Sequence, residues 1–323
     1  MISTDACVVD SLDVERAAAL VRFVPHKEWD WLAPVKDLTS CESKALLGNE
    51  PGRRFVWMRA GAKDLALASV FFLPWDTQVL GVPSARALVV WLPEAGPYLE
   101  PWLACVREAA WNLGARLLDV KIDTRALAAA RAFHRAGFYL ADCLLSYGLP
   151  FDRRVAPAQG VRPAAEGDRA AVIDLAATVF SDAAQSQNRF VSDPHLGPGP
   201  ASSLYAAWAT NAVEGRASDA VFVADEPGAV AGFIACRTLH GPWEPEAFLA
   251  DIPLNAVRPA SQGRGHYKRL VQTALAWAAS RGCNQMHIRT QITAGAVHRT
   301  WVGLGARIVR TLYTFHAFRE ADQ

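Results

Sequence analysis

The sequence predicts a mixed α/β protein, helices on a mixed sheet, in which one fold occurs twice in tandem. Three observations carry the prediction. First, residues 254–278 read as strand, tight turn and helix. An apolar run, Leu254 to Val257, meets Arg258-Pro259, and the turn Gln262-Gly263-Arg264-Gly265-His266-Tyr267 follows. Then Leu270, Thr273, Ala274, Trp277 and Ala278 fall on one helical face. Second, the alternation continues. Gly282 stops the helix as a C-cap, Gln285 to Thr290 reads as a strand, Ala296 to Leu304 as a helix ended by Gly305, and Ile308 to Phe315 as a closing strand. Third, the segment ending near residue 137 lies on this one without a gap, at an offset of 168 residues set by Gly114 against Gly282. Lys121 then meets Arg289, Arg131 meets Arg299, Phe133 meets Trp301, and Gly137 meets Gly305. Shared glycines, basic residues and aromatics in one frame indicate a repeated unit.

The remaining elements fit two copies, one over residues 1–153 and one over 160–323. In the first, Val14 to Val24 reads as a helix, and Phe55 to Arg59, Leu65 to Leu73 and Ala85 to Trp91 as strands. Leu73-Pro74-Trp75-Asp76 is expected to be a loop from its breakers. Pro101 to Leu113 is an amphipathic helix, Leu117 to Asp123 a strand, Leu127 to Arg135 a helix and Leu140 to Leu149 a strand. Residues 152–160 form the boundary. In the second copy Val161 to Ala164 opens as a strand, Ala170 to Phe180 and Leu204 to Val213 are helical, and a breaker-rich loop separates them at Asp193 to Ser203. Val221 to Ala224 and Ala231 to Thr238 form a hairpin, and His240 to Ala247 is a loop.

A strand feeding a glycine turn at a helix N-terminus aims several unpaired N–H groups and a positive dipole end at one spot, which suits a phosphate. Glycine lets the backbone approach an anion closely. The same offset sets Glu94 to Leu99 against this turn, and Pro97 there removes a donor, so the anion site is expected in the second copy alone. Composition narrows the class. A net charge of +1 over 323 residues gives no drive toward nucleic acid or acidic membranes. No apolar run spans a bilayer, and residues 1–15 lack the apolar core of a signal peptide. The six cysteines are scattered without a C-x-x-C pair, which fits reduced thiols in the cytoplasm and no metal site.

The order strand, Q-x-x-G turn, helix, strand, helix, L-G, strand resembles the Gcn5-related N-acetyltransferase (GNAT) superfamily. The resemblance implies a tandem GNAT-like protein whose second copy holds acetyl-CoA, or another acyl-CoA, by its diphosphate. It implies cofactor contacts at Ala256, Val257, Gln262, Gly263, Arg264, Gly265, His266, Tyr267 and Lys268. Gln262 and Gly265 match the superfamily loop; Tyr267 replaces its final small residue. Within the superfamily, Asn188-Arg189-Phe190, the run from Leu204 to Val213 and Gln272 to Ala278 are similar to the bacterial TDP-fucosamine acetyltransferases. That likeness implies a small-molecule amine acceptor, best a TDP-linked amino sugar, with Arg189 and Trp301 toward the acceptor and a possible homodimer.

Acetyl transfer to an amine needs positioning, loss of an ammonium proton, an oxyanion donor and a proton for the departing thiolate. The superfamily's oxyanion donor is a backbone N–H, here within Asn255 to Val257. Its helix tyrosine falls at Trp301, whose indole cannot serve as an acid. His298, one turn earlier, can exchange a proton near neutrality, though the place also suits a half-exposed helix histidine. Asp251 is the candidate base, or a solvated strand-end acid. Arg189 suits a diphosphate or a surface ion pair. An acyl or aminoacyl transferase of natural-product tailoring and a non-catalytic binding protein remain as alternatives.

Overall fold

The computed structural model describes residues 4–21, 46, 48, 51–152, 154–239 and 249–320, and by contacts the chain divides into two compact units. Unit 1 comprises Met1–Cys143 with Thr311–Gln323; unit 2 comprises Leu144–Arg310. The sequence places the boundary at 152–160. The compact units cross it, because the last strand of each copy is split between them.

Unit 1 runs β1 (Thr4–Val9), α1 (Val14–Val21), β2 (Arg54–Ala60), β3 (Lys63–Phe72), α2 (Pro74–Leu80), β4 (Ser84–Trp91), a 3₁₀ turn (Pro93–Tyr98), α3 (Leu99–Asn112), β5 (Leu117–Asp123) and α4 (Leu127–Arg135). Strands β1 to β4 pair antiparallel in sequence order, and β4 pairs parallel with β5. The end of the chain closes this sheet: residues 312–318 of β12 (Arg307–Phe318) pair antiparallel with β5, Leu312 against Asp123 through Phe318 against Leu117. Trp57, Trp102, Phe133 and Phe138 are fully buried beneath it. Phe133 stacks on Phe315 with ring centroids 4.9 Å apart.

Unit 2 runs β7 (Val161–Pro163), α5 (Arg169–Ser181), α6 (Pro198–Val213), β8 (Ala220–Glu226), β9 (Ala229–Leu239), β10 (Leu249–Val257), a 3₁₀ turn (Pro259–Ser261), α7 (His266–Ser280), β11 (Gln285–Gln291) and α8 (Gly295–Gly303). Strands β7 to β10 are antiparallel, and β10 and β11 are parallel. Residues 144–150 of β6 (Tyr139–Pro150) complete the sheet against β11.

The repeat is visible in the elements themselves. β5, α4 and β6 begin and end 168 residues before β11, α8 and β12. Gly114 and Gly282 both end a helix at positive φ, +85° and +83°, and Gly137 and Gly305 do so at +83° and +87°. Where the second copy has its glycine turn, the first has the Pro93–Tyr98 3₁₀ turn with Pro97 inside it.

Two expectations need correction, and one strand went unread. Leu73-Pro74-Trp75-Asp76 opens helix α2 instead of a loop; Pro74 stands in the first turn, where a missing N–H costs nothing, and Gly81 caps the end at φ +69°. Helix α6 likewise begins at Pro198, inside the expected loop. β1 has a short, mostly exposed pattern that gave no strand signal. The expected loop 240–247, with His240, Glu244 and Glu246, and the Trp-rich stretch 26–38 lie outside the described residues. No described helix is long and apolar enough to cross a membrane.

Candidate active site

The site begins where two parallel strands part. β10 and β11 pair from Leu249 against Gln285 to Ile252 against Ile288. Beyond that point β11 continues against β6, through Gln291 against Leu144, while β10 continues against β9. The break follows a register shift in β10 between Asp251 and Leu254, next to Pro253, which has no N–H to offer a neighbour. Past the shift, Arg258 N donates to Ala231 O at 2.8 Å. Alternate residues of an antiparallel strand bond to one neighbour. Leu254, Ala256 and Arg258 therefore face β9, and Asn255 and Val257 turn their N–H and C=O groups into the opening. Val257 O accordingly accepts from Gln262 Nε2, at 3.4 Å. Close strand approach depends on Gly232: a Cβ there would lie 2.8 Å from Ala256 O and 3.2 Å from Val257 Cα.

The opening leads to the glycine turn. Gly263 (φ +77°) and Gly265 (φ +79°) are both left-handed, with nothing within 4 Å of where a side chain would start. That conformation is strained for any other residue. The Arg269 N–H bonds to Gly265 O, so the N–H groups of His266, Tyr267 and Lys268 precede the first helical bond and point out of the end of α7. Parted strands, open loop and helix end surround a cavity of about 920 Å³.

The opposite wall comes from α5, α6 and the segment between them. Asn188, fully buried, pins that segment: Nδ2 donates to Phe180 O at 2.7 Å and Oδ1 accepts from Phe190 N at 3.0 Å. Gln185 then reaches across, its Oε1 3.3 Å from Gln262 Nε2. Phe180, Tyr205 and Trp208 line the cavity as a ladder: Phe180 and Tyr205 stack at 4.3 Å, Tyr205 and Trp208 at 5.9 Å, both pairs 19° from parallel. Lys268, Arg289 and Arg299 also line it, and no Asp or Glu does among the described residues. Cationic and aromatic side chains in one wall have the chemistry to suit an anion with an apolar face.

Residues 185–305 match the Acetyltransferase (GNAT) family. The chain carries a GNAT acetyltransferase domain. With it the protein is an acyltransferase. It is 28% identical over 247 residues, 76% of this chain and 96% of the relative, to the dTDP-fucosamine acetyltransferase of Escherichia coli O6:H1. The solved GCN5-related N-acetyltransferase of Sphaerobacter thermophilus has the same fold, with a TM-score of 0.62 at 15% identity over 99% of this chain and 98% of that one. So does a tandem GNAT protein from the clavulanic acid biosynthesis pathway, with a TM-score of 0.52 at 14% identity over 99% and 100%.

Within the GNAT domain, Ala256, Val257, Gln262, Gly263, Gly265, His266, Tyr267 and Lys268 all line the cavity. Arg264 does not; its Nη1 turns away to Glu226 Oε1 at 3.1 Å. Asp251 lies off the cavity too. It is buried between Arg237, at 2.7 Å, and His287, at 3.0 Å. Burial alone would raise its pKa, but the hydrogen bond and charge of His287 and the charge of Arg237 prevail and hold it at about 2. A carboxylate so weakly basic is a poor proton acceptor at neutral pH.

His298 is also occupied. Its Nε2 faces Ile292 O at 3.0 Å, which requires the hydrogen on that nitrogen, so Nδ1 accepts from the Tyr147 hydroxyl at 3.0 Å. It ties α8 to β6 and does not line the cavity. Arg189 lies over the Phe190 ring at 4.5 Å, outside the cavity wall. Trp301 is fully buried behind the wall and donates from Nε1 to the Tyr267 hydroxyl at 2.9 Å. Tyr267 therefore does not cross the loop; its ring runs inward, and burial pushes its phenol pKa above the usual value against that hydrogen bond.

Sequence reasoning missed the aromatic wall and the two arginines. Tyr205 and Trp208 had the spacing of core residues, and Arg289 and Arg299 stood out only as repeat markers.

Proposed function

We propose that the protein is an acetyl-CoA-dependent N-acetyltransferase whose acceptor is an anionic amine, a nucleotide-linked amino sugar. The observation that carries this reading is the pair of left-handed glycines beside the parted strands, which leaves backbone N–H groups aimed into one cavity. The fit to the cofactor rests on that open cradle: Gly263, Gly265 and the N–H groups of His266, Tyr267 and Lys268 would hold its diphosphate. When bound, acetyl-CoA supplies the activated acetyl group. Asn255 or Val257 N–H, unclaimed by β9, would meet the charge that develops on the acetyl oxygen.

The acceptor assignment draws on the cavity's chemistry and on the name of the Escherichia coli relative. Arg289 and Arg299 suit phosphate oxygens, and the Tyr205–Trp208 face suits a planar base or the apolar side of a sugar. Polyamines would meet cationic walls without a carboxylate. With Asp251 and His298 committed elsewhere, the amine's proton leaves to water.

Thiol release measured across donors and amines tests the reading. Acetyl-CoA with TDP-amino sugars should turn over, and spermidine should not. Turnover with polyamines alone, or only with a different acyl donor, would overturn the assignment.

A further inference from the structure

The two oxygens of Glu226, at the tip of the β8–β9 hairpin, hold both ends of the glycine turn. Oε2 accepts from Ser261 Oγ at 2.8 Å, just before the turn. Oε1 accepts from Arg264 Nη1 at 3.1 Å, between the two glycines, and from His266 Nε2 at 2.7 Å, just after them. The chain of bonds continues: Arg269 Nη2 lies 2.8 Å from His266 Nδ1. Arginine can only donate, so Nδ1 is bare, Nε2 carries the hydrogen, and His266 is neutral. That ring is 4% exposed.

We infer that Glu226 is a positioning residue that latches residues 261–266 into the anion-binding conformation, and so sets the affinity for the diphosphate of the donor. Two left-handed glycines on either side of Arg264 are costly to order, since glycine has the most conformational freedom to lose. A carboxylate bridging Ser261 to His266 orders them before a ligand arrives, and a preordered loop binds more tightly. A carboxylate behind an anion site repels the anion unless neutralised; Arg264, turned back onto Glu226, supplies that charge. Glu226 correspondingly holds its proton less tightly than usual, chiefly through the Ser261 and His266 hydrogen bonds.

The inference rests on the cradle reading, and acetyl-pantetheine, which lacks the diphosphate, separates the two. Wild-type protein, Glu226→Gln and Ser261→Ala are compared by kcat/KM for acetyl-CoA over acetyl-pantetheine, and by the calorimetric Kd of coenzyme A. Glu226→Gln should lower the kcat/KM ratio about tenfold through the KM for acetyl-CoA, and raise the Kd to match, as loss of a charge-assisted bond implies. Ser261→Ala, which removes one contact and keeps the carboxylate, should shift both in the same direction by less. Folded variants with an unchanged ratio and Kd would overturn the latch and leave the cradle standing. A wild-type protein that neither prefers acetyl-CoA nor binds coenzyme A would overturn both.

Discussion

The indole Nε1 of Trp301 donates a 2.9 Å hydrogen bond to the hydroxyl of Tyr267. It links the fully buried aromatic of α8 to the second residue of α7, at the cavity wall. Indole N–H can only donate, and its burial leaves it no water. Tyr267→Phe therefore orphans it, and urea titration should show a loss of about 1–3 kcal/mol. The raised phenol pKa gives a further expectation. A folded-state value above the unfolded one, about 10, keeps the stability contribution intact below pH 10 and removes it as pH rises past that. Tyr267→Phe should abolish this alkaline decline.

Asp251 behaves oppositely. Its folded-state pKa, about 2, lies below the ordinary 3.8. The contribution is present above about pH 4 and lost as pH falls toward 2, roughly 2 kcal/mol in all. Asp251→Asn should cost about 1–3 kcal/mol at pH 7, because the half-exposed Arg237 and the buried His287 lose the carboxylate they bond to. The pH–rate profile of the wild-type enzyme should carry no limb from Asp251 between pH 5 and 8, a window that begins about three units above its folded pKa.

Gly232→Ala tests the strand opening. The added Cβ would meet Ala256 O at 2.8 Å and Val257 Cα at 3.2 Å, and backbone cannot yield cheaply. Stability should fall by about 1–3 kcal/mol. kcat should fall as well, since the strand bearing the Val257 N–H must shift.

Arg289→Gln addresses the acceptor side. The KM for a nucleotide-linked amine should rise about tenfold, with the KM for acetyl-CoA nearly unmoved, and added salt should weaken acceptor binding less in the variant than in the wild type. Equal effects on both substrates would place Arg289 on the donor side.

Much of this was legible in the sequence. The 168-residue repeat survives as identical boundaries for three successive elements. The Gln262–Lys268 turn was readable because two glycines between an apolar strand and a periodic helix leave few alternatives. Less was legible where burial and partners decide a residue's role. His298 and Asp251 have the chemistry of a catalytic pair, and only their bonds to Tyr147, Ile292, Arg237 and His287 show them engaged elsewhere. Arg264 sits inside the loop motif yet turns away, drawn by Glu226, a residue 38 positions earlier that no local pattern connects to it. Pro74 and Pro198 read as breakers, although in a first helical turn proline starts a helix.

The central claim is that the backbone amides of residues 263–268 bind the donor's diphosphate. Calorimetric titration of coenzyme A into the wild-type protein and Gly265→Val tests it most directly. Wild type should bind with a Kd in the micromolar range, and Gly265→Val, whose side chain cannot hold the left-handed backbone, should bind at least about tenfold more weakly with its fold intact. Equal affinity in the two proteins, or no heat of binding in either, would contradict the claim.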